Sequence, residues 1–186
     1  MILPVYAYGQ PILKKVGQEI DTDFEGLNNL LEDMWETMYH AQGVGIAAPQ
    51  IGQSLRLFLV DTVQAMDEGE EDKGIKKAFI NAQILEEGGE PWVYEEGCLS
   101  IPNVKGDVER NESIKIKYQD QDFNEFIEEY EGINARVILH EYDHIEGKLF
   151  TEKLKPLKKK MISRKLDQIK KGKVKADYRL RFAKTK

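Results

Sequence analysis

The sequence predicts an α+β domain in which antiparallel β-sheets pack around a central helix, with a further helix near the C-terminus. Apolar residues recur at helical spacing over about residues 23–42 and again over 133–146. Runs at 113–118 and 125–130 alternate apolar with polar residues around Asp120-Gln121-Asp122, the pattern of a hairpin with one wet face. The order helix, strands, helix, helix fits helices packed against antiparallel sheet.

In the first helix Phe24, Leu27, Leu30, Leu31, Met34, Trp35 and Met38 make one apolar face. Thr22 or Asp23 can cap its start and Gly43 can end it. Gly43-Val44-Gly45-Ile46-Ala47-Ala48-Pro49-Gln50 follows, small residues and glycines that read as loop rather than helix or strand. Residues 55–60 and 78–85 read as buried strands, and the acidic stretch 67–74 between them as an exposed loop. Gly147 stops the central helix, and Pro156 opens the last one, since proline is tolerated in a first turn.

With 186 residues, 41% hydrophobic and 32% charged, one globular domain over 1–186 is expected, with ample core and no need of disulfides. No run approaches 18 apolar residues, so no membrane helix is expected, and the N-terminus lacks signal-peptide character. A single cysteine agrees with a reducing compartment, and a cytoplasmic location is expected. The net charge of −6 conceals an asymmetry: residues 153–186 carry 15 Lys and Arg against Asp167 and Asp177, or +13, whereas the rest is −19. Such a basic helix and tail suits docking to nucleic acid, or else is a solvated helix that touches nothing.

His140-Glu141-Tyr142-Asp143-His144 is an H-E-x-x-H pentad. Residues four apart on a helix share a face, so both imidazoles can hold one metal ion while Glu141 reaches a metal-bound water. Ile133 and Val137 precede them on that face. The pentad also arises by chance on amphipathic helices, with His140 then a satisfied core histidine. A third ligand is needed. Zinc endopeptidases of the H-E-x-x-H type take it downstream, but Phe150 occupies the histidine position and no glutamate follows Glu152. The remaining strong candidate is Cys98, in Glu96-Gly97-Cys98-Leu99-Ser100, although a lone cysteine is often only a small buried hydrophobe. His40 reads as a surface or core residue.

Together these stretches resemble the peptide deformylase family, marked by G-x-G-x-A-A-x-Q, E-G-C-L-S and H-E-x-x-H in that order. Looser similarity runs from Gly9-Gln10-Pro11-Ile12-Leu13 to the helix after Pro156. Members often have Gln just before the pentad, where this chain has Leu139. The resemblance implies a metal-dependent hydrolase that removes the N-formyl group from the formylmethionine of new polypeptides. It implies Cys98, His140 and His144 as ligands of one divalent ion, Fe2+ in the cell with Zn2+, Ni2+ or Co2+ able to substitute. Glu141 would move the proton, and Gln50 with the Leu99 backbone N–H would bind the oxyanion. Gly43, Val44 and Gly45 would pair with the peptide, and Val44, Ile133 and Val137 would wall the methionine pocket. Arg110 would meet a substrate carbonyl farther out. The basic segment acquires a candidate partner in the ribosome, through its RNA or protein. The competing classes are the zinc endopeptidase and a non-catalytic ribosome-binding protein with a structural metal.

Overall fold

The computed structural model describes residues 1–184; Thr185 and Lys186, the end of the expected basic tail, lie outside the described residues. The chain runs β1 (Val5–Tyr6), α1 (Leu27–His40), β2 (Gly45–Ala47), β3 (Leu57–Asp61), β4 (Lys76–Cys98), β5 (Ile101–Gln119), β6 (Glu125–Glu131), α2 (Gly132–Ile145), α3 (Pro156–Lys170) and β7 (Leu180–Arg181). Strands β2 to β6 form one antiparallel sheet in sequence order, which bears out the α+β expectation. No helix among the described residues is long and apolar enough to cross a membrane.

Strand β3 shows why its sequence is apolar throughout. Successive side chains face opposite sides of a sheet, and here both sides are covered. Leu57 and Leu59 join the cluster under α1, while Phe58 and Val60 join the cluster under α2. Each such buried side chain contributes about 1.5–3 kcal/mol. Phe58 and Phe79 stack across β3 and β4 with ring centroids 4.9 Å apart.

Helix α1 starts at Leu27, later than the expected 23, because Gly26 adopts φ +80° and breaks the helical path before it. Phe24 is left at the surface, and Leu27, Leu31, Met34 and Met38 make the buried apolar stripe, with Thr37 buried beside them and Leu30 and Trp35 half-buried at its margin. The helix ends at His40, three residues before Gly43. Gln42 takes the left-handed conformation (φ 58°) that usually falls to glycine, with Gly43 N–H donating to Met38 O at 2.9 Å.

Two expectations for the middle of the chain are corrected. The segment 43–50 is not all loop: Gly45 and Ala47 pair with Val60 and Phe58 as an edge strand, and Ala48–Ile51 forms a 3₁₀ turn. The strands expected at 78–85 and 113–118 are parts of one 23- and 19-residue hairpin, β4–β5. Charged residues and glycines between 86 and 97 hide it, because that half of β4 is mostly solvent-facing and several register shifts interrupt the alternation. The 67–74 stretch is largely exposed, as expected, around a single 3₁₀ turn at Glu71–Lys73.

A parallel pairing of β1 with β7 has no counterpart in the sequence reading, since two-residue strands leave no periodic trace. It closes a third apolar cluster in which Ile162 and Ile169 of α3 meet Leu13, Val104, Leu149 and Phe150.

Candidate metal centre

Helix α2 crosses one face of the sheet and presents His140 and His144 one turn apart, ring centroids 5.2 Å from each other. Cys98 is the last residue of β4, delivered to the same point by the hairpin. The ligand atoms of the three all lie within 4.8 Å of one another, and Cys98 Sγ is 3.3 Å from His144 Nε2. A tetrahedral ion with bonds of roughly 2.0–2.3 Å would separate its ligands by about 3.3–3.8 Å, so the triad fits a metal with one position open.

Behind the triad lies a buried ionic network. Glu96, two residues before Cys98 and so on the same face of β4, accepts from His140 Nδ1 at 2.8 Å. A carboxylate can only accept here, so that bond places the proton on Nδ1 and leaves Nε2 for the metal. Arg110 of β5 donates to Glu96 through Nε (2.7 Å) and Nη2 (2.9 Å), and through Nη1 to Asp143 Oδ2 (2.8 Å). Arg136 of α2 adds Nη1 to Glu96 Oε2 (2.9 Å) and lies 4.5 Å over the Trp92 ring. Two arginines thus balance two carboxylates. Burial alone would raise the Glu96 pKa, but His140 and Arg110 outweigh it and hold the carboxyl well below its ordinary range.

Glu141 is 4% exposed, and its Oε2 has no hydrogen-bond partner among the described residues. Burial pushes its pKa up to about 7 against the opposing pull of His140. Gly45 is what lets the carboxylate sit there: a Cβ at that position would lie 2.5 Å from Glu141 Oε1. Gln50, also buried, is oriented by Ala47 N–H donating to its Oε1 at 2.8 Å. Its Nε2 is thereby turned toward Cys98 Sγ (3.5 Å) and Ser100 Oγ (3.2 Å).

These groups open into a cleft of about 750 Å³. Gly43, Val44, Gly45, Leu99, Ile133 and Val137 all line it beside Gln50, Cys98, His140 and Glu141. Arg110 does not. It is 6% exposed and its guanidinium is consumed by Glu96 and Asp143, so the expectation that it meets substrate is corrected. His40 is exposed at the end of α1, and Phe150 is 2% exposed in the third cluster, where it packs rather than binds. Leu139 packs into the cluster beneath α2. Sequence reasoning passed over Glu96, Arg136 and Asp143, although two of them sit inside the quoted motifs. Their roles depend on partners from other segments.

The family model for polypeptide deformylase matches residues 2–160. A peptide deformylase of Flavobacterium psychrophilum is 51% identical, the alignment covering 100% of both chains. One of Christiangramia forsetii is 50% identical over 100% of this chain and 98% of its own. The crystal structure of a peptide deformylase from Legionella pneumophila superimposes with a TM-score of 0.80 at 39% identity, covering 92% of this chain and 96% of that one. A Plasmodium falciparum peptide deformylase gives 0.82 at 30% identity, covering 90% and 95%. Sequence likeness along the whole chain and a shared fold have one common explanation: the chain belongs to the polypeptide deformylase family.

Proposed function

We propose that this protein is a single-domain hydrolase that removes the N-formyl group from the formylmethionine of newly made polypeptides, releasing formate. The observation that carries the reading is the convergence of Cys98, His140 and His144 beside a buried carboxylate with one unpaired oxygen, at the base of an open cleft. A divalent ion held by the triad would supply Lewis acidity and bring a bound water's pKa down to about 7.

The chain's own groups do the rest. Glu141 Oε2 takes the proton from the attacking water and passes it to the leaving amine nitrogen. Gln50 Nε2–H and the Leu99 N–H donate to the oxygen on which charge develops, and Gln50 is already aimed by its bond from Ala47. β2 ends the five-stranded sheet, so its outer edge is available for an extended peptide to pair beside Gly43–Val44–Gly45. Val44, Ile133 and Val137 offer apolar walls for the methionine side chain.

One thiolate and two imidazoles suit Fe2+ as well as Zn2+, Ni2+ or Co2+. We assign Fe2+ in the cell and place the enzyme in the cytoplasm with its nascent substrates. Protein purified anaerobically and loaded with Fe2+ should release formate from a short formyl-methionyl peptide and lose that activity in air, whereas the Ni2+ form should keep it. No formate with a full complement of metal would overturn the reaction. An air-stable enzyme most active with zinc would overturn the choice of iron.

The basic segment has the surface expected of a docking element for ribosomal RNA. Lys155, Lys159, Lys160, Arg164 and Lys165 are all exposed on or beside α3. Deleting the whole segment is not a clean test, because Ile162, Ile169 and Phe182 belong to the third apolar cluster. Reversing charge at Lys159, Lys160 and Arg164 together should instead weaken ribosome co-sedimentation at least tenfold, steepest at low salt, and spare turnover of short formyl peptides. Unchanged ribosome affinity would sink the docking idea.

A further inference from the structure

The ligand Cys98 sits at an awkward place in the backbone. Strands β4 and β5 are joined by Leu99 and Ser100 alone, since Cys98 pairs with Ile101. Two-residue hairpins normally use turns with a left-handed residue at the first central position. Neither Leu99 nor Ser100 has a positive φ. The ladder next to the turn is broken as well: Gly97 pairs with Lys105, so residues 102–104 bulge out of β5, with Asn103 at φ 62°. A turn outside the favoured hairpin geometry, beside a bulge, needs support from elsewhere to hold its position.

Support comes from both chain termini. Tyr8 N–H donates to Ser100 O at 2.8 Å, and Tyr178 Oη donates to Leu99 O at 2.7 Å. Asn103 Nδ2 donates to Lys175 O at 3.1 Å, so the same C-terminal segment also holds the bulge. That segment leaves α3 through a turn at Gly172 (φ +71°) and runs along the cleft, where Lys175, Ala176, Asp177 and Tyr178 line the same cavity as Cys98 and His140. Its far end is tied down by β7 pairing with β1 and by Gln10 Nε2, which donates to Arg181 O and Phe182 O. The match to the family model ends at residue 160, so this strap lies wholly beyond the stretch that the match covers.

We propose that the C-terminal strap completes the active site, and that Tyr178 is a positioning residue. It holds the Leu99 carbonyl, and through it the Cys98–Leu99–Ser100 turn that carries both the thiolate ligand and the oxyanion-binding N–H. The proposal rests on the deformylase reading above. Because the hydroxyl reaches a main-chain oxygen of the turn rather than the substrate pocket floor, its loss should blunt the chemical step more than ground-state binding.

The test is Tyr178→Phe, which removes one oxygen and keeps the ring. Relative to the wild-type nickel enzyme, kcat for a formyl-methionyl peptide should fall about tenfold with KM changed less than twofold. In the cobalt-loaded protein, the thiolate-to-metal absorption band should shift. Amide hydrogen exchange should quicken at Leu99 and Ser100 and stay unchanged in α1. A variant with wild-type kcat, an unshifted cobalt spectrum and only a lower Tm would overturn the proposal and leave the strap as packing. Tyr178→Leu, which also removes the ring, should reproduce the loss in kcat if the hydroxyl is what matters. A wild-type protein that binds metal yet releases no formate would overturn the reaction assignment instead, and the cobalt spectrum would still decide the fate of the strap.

Discussion

Replacing Glu141 with glutamine should lower kcat for formate release by about 10²–10⁴-fold while the protein keeps one metal ion per chain. Glutamine has nearly the same shape, so the tight approach of this side chain to Gly45 survives and the fold is not asked to adjust. What disappears is the only proton acceptor in the proposed mechanism. Among the described residues no group is hydrogen-bonded to Oε2, which leaves that oxygen free to accept a proton. Metal analysis of the purified variant separates the possible causes. Activity within tenfold of wild type at full metal occupancy would remove Glu141 from the proton path. Loss of metal together with activity would mean that Glu141 supports the ligands instead.

Substituting Arg110 with alanine should cost about 3–5 kcal/mol of folding stability, because it removes the guanidinium that two buried carboxylates share, leaving Glu96 to Arg136 and Asp143 to Lys153 at 3.8 Å. For a domain of this length that lowers the Tm by roughly 6–20 °C. The direction follows from desolvation: Glu96 and Asp143 would keep the cost of burial and lose their best-placed cation. Metal affinity should fall in parallel, since Glu96 would no longer be braced against His140. Arg110→Lys should recover part of the loss, as a point charge cannot reproduce the fork that spans both carboxylates. A thermal denaturation curve decides between the roles. An unchanged Tm with a raised KM would restore Arg110 to the substrate site.

The helical pentad, the buried strand at β3 and the hairpin turn near 120 could be read locally, because periodicity is written in neighbouring residues. Cys98 could be singled out as the candidate third ligand only because so few metal-binding residues remain once Phe150 is excluded. The long β4–β5 hairpin was not legible in the same way. Half of β4 faces solvent, and its glutamates and glycines look like a loop until β5 supplies the hydrogen-bond partners. The start of α1 was misplaced for a related reason: the apolar period continues through Phe24, and only the left-handed backbone at Gly26 cuts it off.

By itself the sequence determined what the site is made of: two histidines one helical turn apart, a glutamate beside the first, a cysteine in a glycine-flanked motif, and an amide at the end of a small-residue segment. Tertiary structure decided which charged groups stand behind those residues. Glu96 is bonded by residues 14, 40 and 44 positions away, and Leu99 by a tyrosine 79 positions away. Apolar residues reveal their side of an element through its period. A charge or a hydroxyl acquires its role from burial and from the partner it meets there, and that partner is brought by the fold.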